Sequence, residues 1–407
     1  GRNQVSFDFE PGPGAVDIRI QRTDREGTGD YVRNITVVRE RDLQAYDQGA
    51  LFNPDWLDWI EGFAALRFMD WMDTNNSKQI GWEDRPRYSD YTWTTNGIPA
   101  EVLVTLANRV GADPWFTLPH MADDTYFRRF ARLAFRRLPE DRRAYVEYSN
   151  EVWNWQFSQA GWADEQARAR WGDDSLWMQF YGGRAAEMAQ IWTQEFGTSA
   201  ADRLVRVIAT QTGWMGLEEQ LLSAPLWTAE QAGRRPPAEY FDAYAVTGYF
   251  GGVLGLEDRA PMVLDWAAQD ASLGYASAQA YAELWDGRIS GNSEDTLEAL
   301  LGTVLPYHAK QAKAQGLDLI MYEGGSHVVG HGAMVDNDAL TAFLTHFNYT
   351  PEMGALYARL LEGWAGLDGQ LFTAFNDVYT PSKWGSWGGL RHLTDSNPRW
   401  DALEAAK

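Results

Sequence analysis

From about residue 34 the sequence alternates between two rhythms, and this alternation restricts the fold more than any other feature. Short runs rich in β-branched and aromatic residues at 34–38, 64–69, 114–118, 145–149, 204–209, 244–249, 317–322 and 370–375 read as strands. Segments of helical period separate them, at 54–62, 99–110, 124–138, about 175–196, 217–223, 294–315 and 351–365. Asn53-Pro54 and Thr350-Pro351 each place a capping side chain before a proline at the first helical position, and Gly111 and Gly316 stand where helices close. Eight strands, each but the last followed by a helix, predict an α/β fold of the (β/α)8 TIM-barrel type; a doubly wound open sheet is the alternative. Residues 1–33 alternate apolar and polar positions (Val16, Ile18, Ile20) around a turn-rich stretch at 26–30. They read as a short N-terminal β-hairpin or accessory segment, leaving 34–407 as the barrel domain. Two connections, 150–175 after the fourth predicted strand and 250–293 after the sixth, are long. Both follow strand C-termini, the end where a barrel keeps its active site, so they read as substrate walls.

Charge and composition narrow the partners. Lys and Arg number 35 against 57 Asp and Glu, a net charge of −22, which repels a phosphate backbone and disfavours anionic polysaccharides. No nucleic-acid partner is therefore expected, and no apolar run is long enough to predict a membrane span. Cysteine is absent, which excludes disulfides and thiol nucleophiles. The 20 Trp, 18 Tyr and 18 Phe exceed what an ordinary core needs, and indole faces suit sugar rings as well as protein interfaces. Gly324-Gly325-Ser326-His327-Val328 fails the nucleophile-elbow pattern at its last place, and no glycine run matches a nucleotide-binding loop. His327 and His331 have helical ligand spacing, but the glycines around them oppose a helix and no Glu lies between them. Asp336-Asn337-Asp338 reads as a helix N-cap rather than a calcium loop. No metal or cofactor is expected.

Two predicted strand ends carry candidate chemistry. The fourth strand runs out through Glu147-Tyr148-Ser149-Asn150-Glu151, and the seventh through Met321-Tyr322-Glu323. Each delivers a carboxylate to the rim, and the two strands face one another across a barrel mouth. Paired carboxylates across a cleft are the minimum apparatus of glycoside hydrolysis, although either could instead form a salt bridge or cap a helix. Arg67, inside an apolar strand, requires a partner: Asp70 or Asp73, or a carboxylate at the rim. His120 reads as a cleft or a loop histidine, and Tyr249 as a site residue or a lid on the core. Trp153 and His327 fall on rim loops, and Trp384 and Trp387 lie in a Gly- and Ser-rich run too open for buried core.

Asn150-Glu151 at the fourth strand end, with Glu323 at the seventh, resembles glycoside hydrolase clan A, whose members are (β/α)8 enzymes that retain anomeric configuration. The resemblance implies that Glu151 is the general acid/base, Glu323 the nucleophile and Asn150 a partner of the sugar 2-hydroxyl. It further implies that Arg67 steadies the nucleophile, that His120 lines the cleft, that Tyr249 bonds the nucleophile, and that Trp384 or Trp387 floors the −1 subsite. The loops 149–155 and 323–331 match no subfamily pattern, so the sugar is left open. The expectation is a retaining, endo-acting β-glycanase on a neutral polysaccharide, with carboxyl groups about 5–5.5 Å apart rather than the roughly 6.5–9.5 Å of an inverting enzyme. Secretion or periplasmic export is inferred from the polymeric substrate. The alternatives are a non-catalytic carbohydrate-binding barrel and a polysaccharide lyase drawing on Arg85, Arg87 and Lys383.

Overall fold

The computed structural model describes residues 4–10, 16–173 and 175–407. Seven strands form one parallel sheet in sequential order: β1 Ala65–Arg67, β2 Asp113–Leu118, β3 Ala144–Tyr148, β4 Leu204–Ala209, β5 Ala243–Phe250, β6 Asp318–Ser326 and β7 Leu371–Ala374. The sheet curls into a nearly closed barrel with helices between its strands, an α/β architecture of the TIM type. β1 and β7 approach each other without a hydrogen-bonded ladder, and beside them lies a cavity of about 180 Å³ lined by Trp56, Phe63, Phe372 and Trp400 and, on its polar side, Arg67 and Glu323.

The first of the eight expected strands, 34–38, is not formed: among the described residues the segment pairs with no strand, and Ile35 and Val37 are 62% and 69% exposed. Strand propensity is local, but a strand needs a covered face and a paired edge, and this run has neither. The expected N-terminal hairpin is likewise absent from residues 4–10 and 16–33, where Val16, Ile18 and Ile20 are exposed; 1–3 and 11–15 lie outside the described residues. The chain's two compact units are Gly1–Asn53 and Pro54–Lys407, so the division falls at the proline-headed helix Pro54–Ile60 rather than at 33/34. The predicted fourth and seventh strands are therefore β3 and β6.

The barrel interior follows from period-two alternation. Trp115, Tyr145, Val205, Val207, Ala209, Ala243, Ala245, Ile320 and Tyr322 pack together at its centre, with Leu371 against them. The two connections read as long loops instead contain helices, Ser158–Trp171 in the first and Ala260–Gln269 and Gly274–Asp286 in the second. Two of these bury alanine-rich faces (Ala160, Ala163 and Ala167; Ala276 and Ala280), whose small side chains give a weak hydrophobic period. Among the described residues, no helix is long and apolar enough to cross a membrane.

Candidate active site

Inward alternation on β3 passes from Tyr145 to Glu147, and Glu147 lies in register with Thr117 of β2. Beyond it the strand ends in two residues with left-handed backbone, Ser149 (φ 61°) and Glu151 (φ 43°), flanking Asn150. Left-handed geometry costs a non-glycine residue about 1–2 kcal/mol, so this turn is held by its surroundings. Gln159 donates through Nε2 to the Asn150 carbonyl and to Asn75 Oδ1, each at 2.8 Å, and Asn150 Nδ2 donates to the same Asn75 oxygen at 3.1 Å. Asn154 donates through Nδ2 to Glu151 Oε2 at 2.9 Å.

On β6 the register with β5 shifts: Val246 pairs with Met321, but Thr247 pairs with Glu323, leaving Tyr322 as the extra residue of a bulge. The bulge turns two consecutive side chains toward the interior, which alternation alone forbids. Tyr322 is fully buried in the interior cluster and donates to Glu151 Oε1 at 3.2 Å, while Glu323 meets Arg67 and Tyr249.

Arg67, at the end of β1, joins these pieces. Its Nη1 donates to Glu323 Oε1 at 2.7 Å, its Nε and Nη2 donate to Glu147 Oε2 at 3.1 and 2.9 Å, and Nη2 also reaches Asn150 Oδ1 at 2.8 Å. The guanidinium lies 5.3 Å from the Trp115 ring centroid and 5.1 Å from that of Tyr322, and Trp115 Nε1 donates to Glu147 at 2.9 Å. Neither Asp70 nor Asp73 pairs with it; the partners are the two buried glutamates. Burial disfavours the Arg67 charge, but the two carboxylates more than restore it, so its pKa is raised overall.

The two rim carboxylates have different surroundings. Glu323 accepts from Arg67 on one oxygen and from Tyr249 Oη on the other, at 2.9 Å. Burial pushes its pKa up, and the Arg67 charge and the Tyr249 hydroxyl oppose that push without cancelling it, so it stays above the ordinary carboxylate value. Glu151 bonds only neutral donors, Asn154 and Tyr322. Desolvation, and then the charge of Glu323, lift it to about 7. Of the two acids, one is bonded to a cation and the other only to neutral donors, an asymmetry that favours the charged form at Glu323 relative to Glu151.

Among the other expected residues, Trp387 packs against Tyr249, His327 and Phe375, with ring centroids 6.1, 5.3 and 5.6 Å away. Trp384 stands outside that cluster, 64% exposed beneath the Lys383 ammonium, and only its carbonyl takes part, accepting from Trp387 Nε1. His327 lies between Tyr249 and His331, and burial pushes it down to about 4. His120 is buried edge-on to Trp162 and is also pushed down to about 4 by desolvation, which keeps it neutral, and its contacts are with Trp162 and Tyr148 rather than with the two rim carboxylates. Trp153 is half-buried two residues beyond Glu151. Among the described residues, no three His, Asp or Glu side chains converge as metal ligands. Arg85 stacks on Trp82, Arg87 pairs with Glu83, and Lys383 pairs with Asp336.

Sequence reasoning did not single out Glu147, Tyr322, Asn75 or Asn154. Glu147 was legible as a carboxylate on the inward face of an apolar strand. Tyr322 lies on the same inward face as Ile320, but its place beside Glu323 was not legible, because only the bulge turns Glu323 to that face as well. No family model matches the chain, and a search of the curated proteins finds no match.

Proposed function

We propose that the protein is a retaining glycoside hydrolase that cleaves a neutral polysaccharide by double displacement. The reading rests on one observation above all: Glu323 is bonded to a buried arginine and a tyrosine, while Glu151, close enough to feel its charge, is lifted to about 7 and has only neutral donors. Glu323 attacks the anomeric carbon as Glu151 protonates the departing oxygen. Glu151, now a carboxylate, then takes a proton from the water that displaces Glu323. Arg67 and Tyr249 hold the nucleophile ionised and oriented, and Trp387 beside Tyr249 provides an apolar face for the sugar at the reacting position. Asn150 lies next to the acid and is positioned by Asn75 and Arg67. The reading agrees with the clan A resemblance, and a polymeric substrate implies an exported protein.

The test is incubation of purified protein with β-glucans, xylans, mannans and galactans, followed by reducing-end release. Wild-type protein should degrade at least one of them, and Glu151→Gln and Glu323→Gln should each abolish that activity. Binding of a glycan without release, or release that survives both substitutions, contradicts the reading; an unsaturated ultraviolet-absorbing product would indicate a lyase instead.

A further inference from the structure

A second aromatic cluster starts just past the turn that carries Glu151 and shares no ring with the Tyr249–His327–Trp387 cluster. Trp155 is four residues past Glu151, Trp177 opens the helix Trp177–Phe196, and Trp214 lies in the loop that follows β4. The Trp155 and Trp177 ring centroids are 5.3 Å apart, and those of Trp177 and Trp214 are 6.2 Å apart. The middle indole is buried, whereas the outer two are 55% and 50% exposed. Three separate segments thus meet to support two indoles that face solvent.

Both exposed rings are held on fixed backbone. The Trp155 turn is closed by Asn154, whose backbone N–H donates to the Glu151 carbonyl at 2.8 Å and whose Oδ1 accepts from the Gln156 backbone at 3.0 Å. The same side chain donates to the Glu151 carboxyl. The Trp214 loop is anchored by Thr212, whose hydroxyl lies 2.8 Å from that of Thr247 and whose carbonyl lies 2.8 Å from His308 Nε2. Exposing indoles on rigid backbone has a hydration cost with no return to the fold, so a ligand is the natural beneficiary. An aromatic side chain buries about 150–250 Å², so two half-exposed rings offer on the order of 200 Å², far short of the roughly 800 Å² per partner of a stable protein interface. A pyranose face fits an indole, and the ridge begins at the turn that carries the proton donor, where the leaving group must lie.

We propose that Trp155 and Trp214, supported by Trp177, stack the sugar units of a glycan leaving group. This rests on the hydrolase reading for the direction of the chain, and it narrows the substrate to one with several residues on the acid side of the cut bond.

The test uses isothermal titration calorimetry on Glu323→Gln with cellohexaose, xylohexaose, mannohexaose and laminarihexaose, in parallel with product analysis of the wild type on the same sugars. At least one hexaose should bind, and adding Trp155→Ala with Trp214→Ala should raise its Kd about tenfold or more. Trp155→Phe with Trp214→Phe, which keeps a ring at each position, should recover most of that affinity; failure of the ring-bearing pair to bind better than the alanine pair would overturn the stacking claim. An unchanged Kd in the alanine pair, or no binding by any hexaose, also overturns it. Binding that depends on the indoles without wild-type cleavage leaves the platform standing and removes the hydrolase reading. Cleavage that depends on Glu323 with a Kd indifferent to the indoles removes the platform alone.

Discussion

Arg67 donates to two buried glutamates and an asparagine from a strand only three residues long. Removing one member of a buried ion network leaves charge without compensation, typically a loss of about 3–5 kcal/mol. Arg67→Met should therefore lower stability by that amount in urea titration, and Arg67→Lys should recover only part of it, because a single ammonium cannot fork to both carboxylates. Glu151 gives a pH-dependent prediction. Its pKa is raised from 4.5 to about 7 on folding, so the native state prefers the protonated form. The stability this contributes is fully present below about 4.5 and is lost as the pH rises through about 7. Glu151→Gln cannot ionise, so it should be more stable than wild type at pH 8, by on the order of 3 kcal/mol at most, with the difference vanishing near pH 4. Thermal unfolding at the two pH values measures this. In kinetics, wild-type kcat/KM should fall above pH 7 as the proton donor is lost, and a profile flat to pH 9 would remove Glu151 from that role.

At the scale of elements, seven of the eight predicted strands formed because each alternates or buries apolar residues and finds a neighbour with which to pair. The run at 34–38 has the same local character and no partner, which sequence periodicity cannot reveal. Alanine-faced helices escaped notice for the converse reason: the packing is present, but the hydrophobic contrast is small. The bulge in β6 lies in neither class, since a register shift depends on the adjacent strand and leaves no mark in the run Leu317–Tyr322. Close packing also explains one glycine on the long helix Trp177–Phe196, where a methyl group at Gly182 would overlap the Leu221 carbonyl. Alanine would bring about 1 kcal/mol of helix propensity, but overlap with a fixed backbone costs more. Gly182→Ala should lower stability by about 1–3 kcal/mol in chemical denaturation.

For the molecule as a whole, the candidate site was legible to the extent that strand ends are legible. Glu151 and Glu323 were marked out as carboxylates at the C-terminal ends of apolar runs, Arg67 and Tyr249 through the resemblance to clan A, and the barrel brings these four together. The division of tryptophans was not legible, because whether Trp384 or Trp387 meets Tyr249 depends on how a Gly-rich loop folds back. The two carboxylates have opposite proposed roles, and azide tests those roles on an activated glycoside of the sugar that the wild type cleaves. Without the nucleophile, azide attacks the anomeric carbon directly; without the acid/base, it attacks the glycosyl-enzyme. The decisive measurement is the NMR anomeric configuration of the glycosyl azide formed by each alanine variant. Glu323→Ala should give the inverted product and Glu151→Ala the retained one; a retained azide from Glu323→Ala would contradict the assignment.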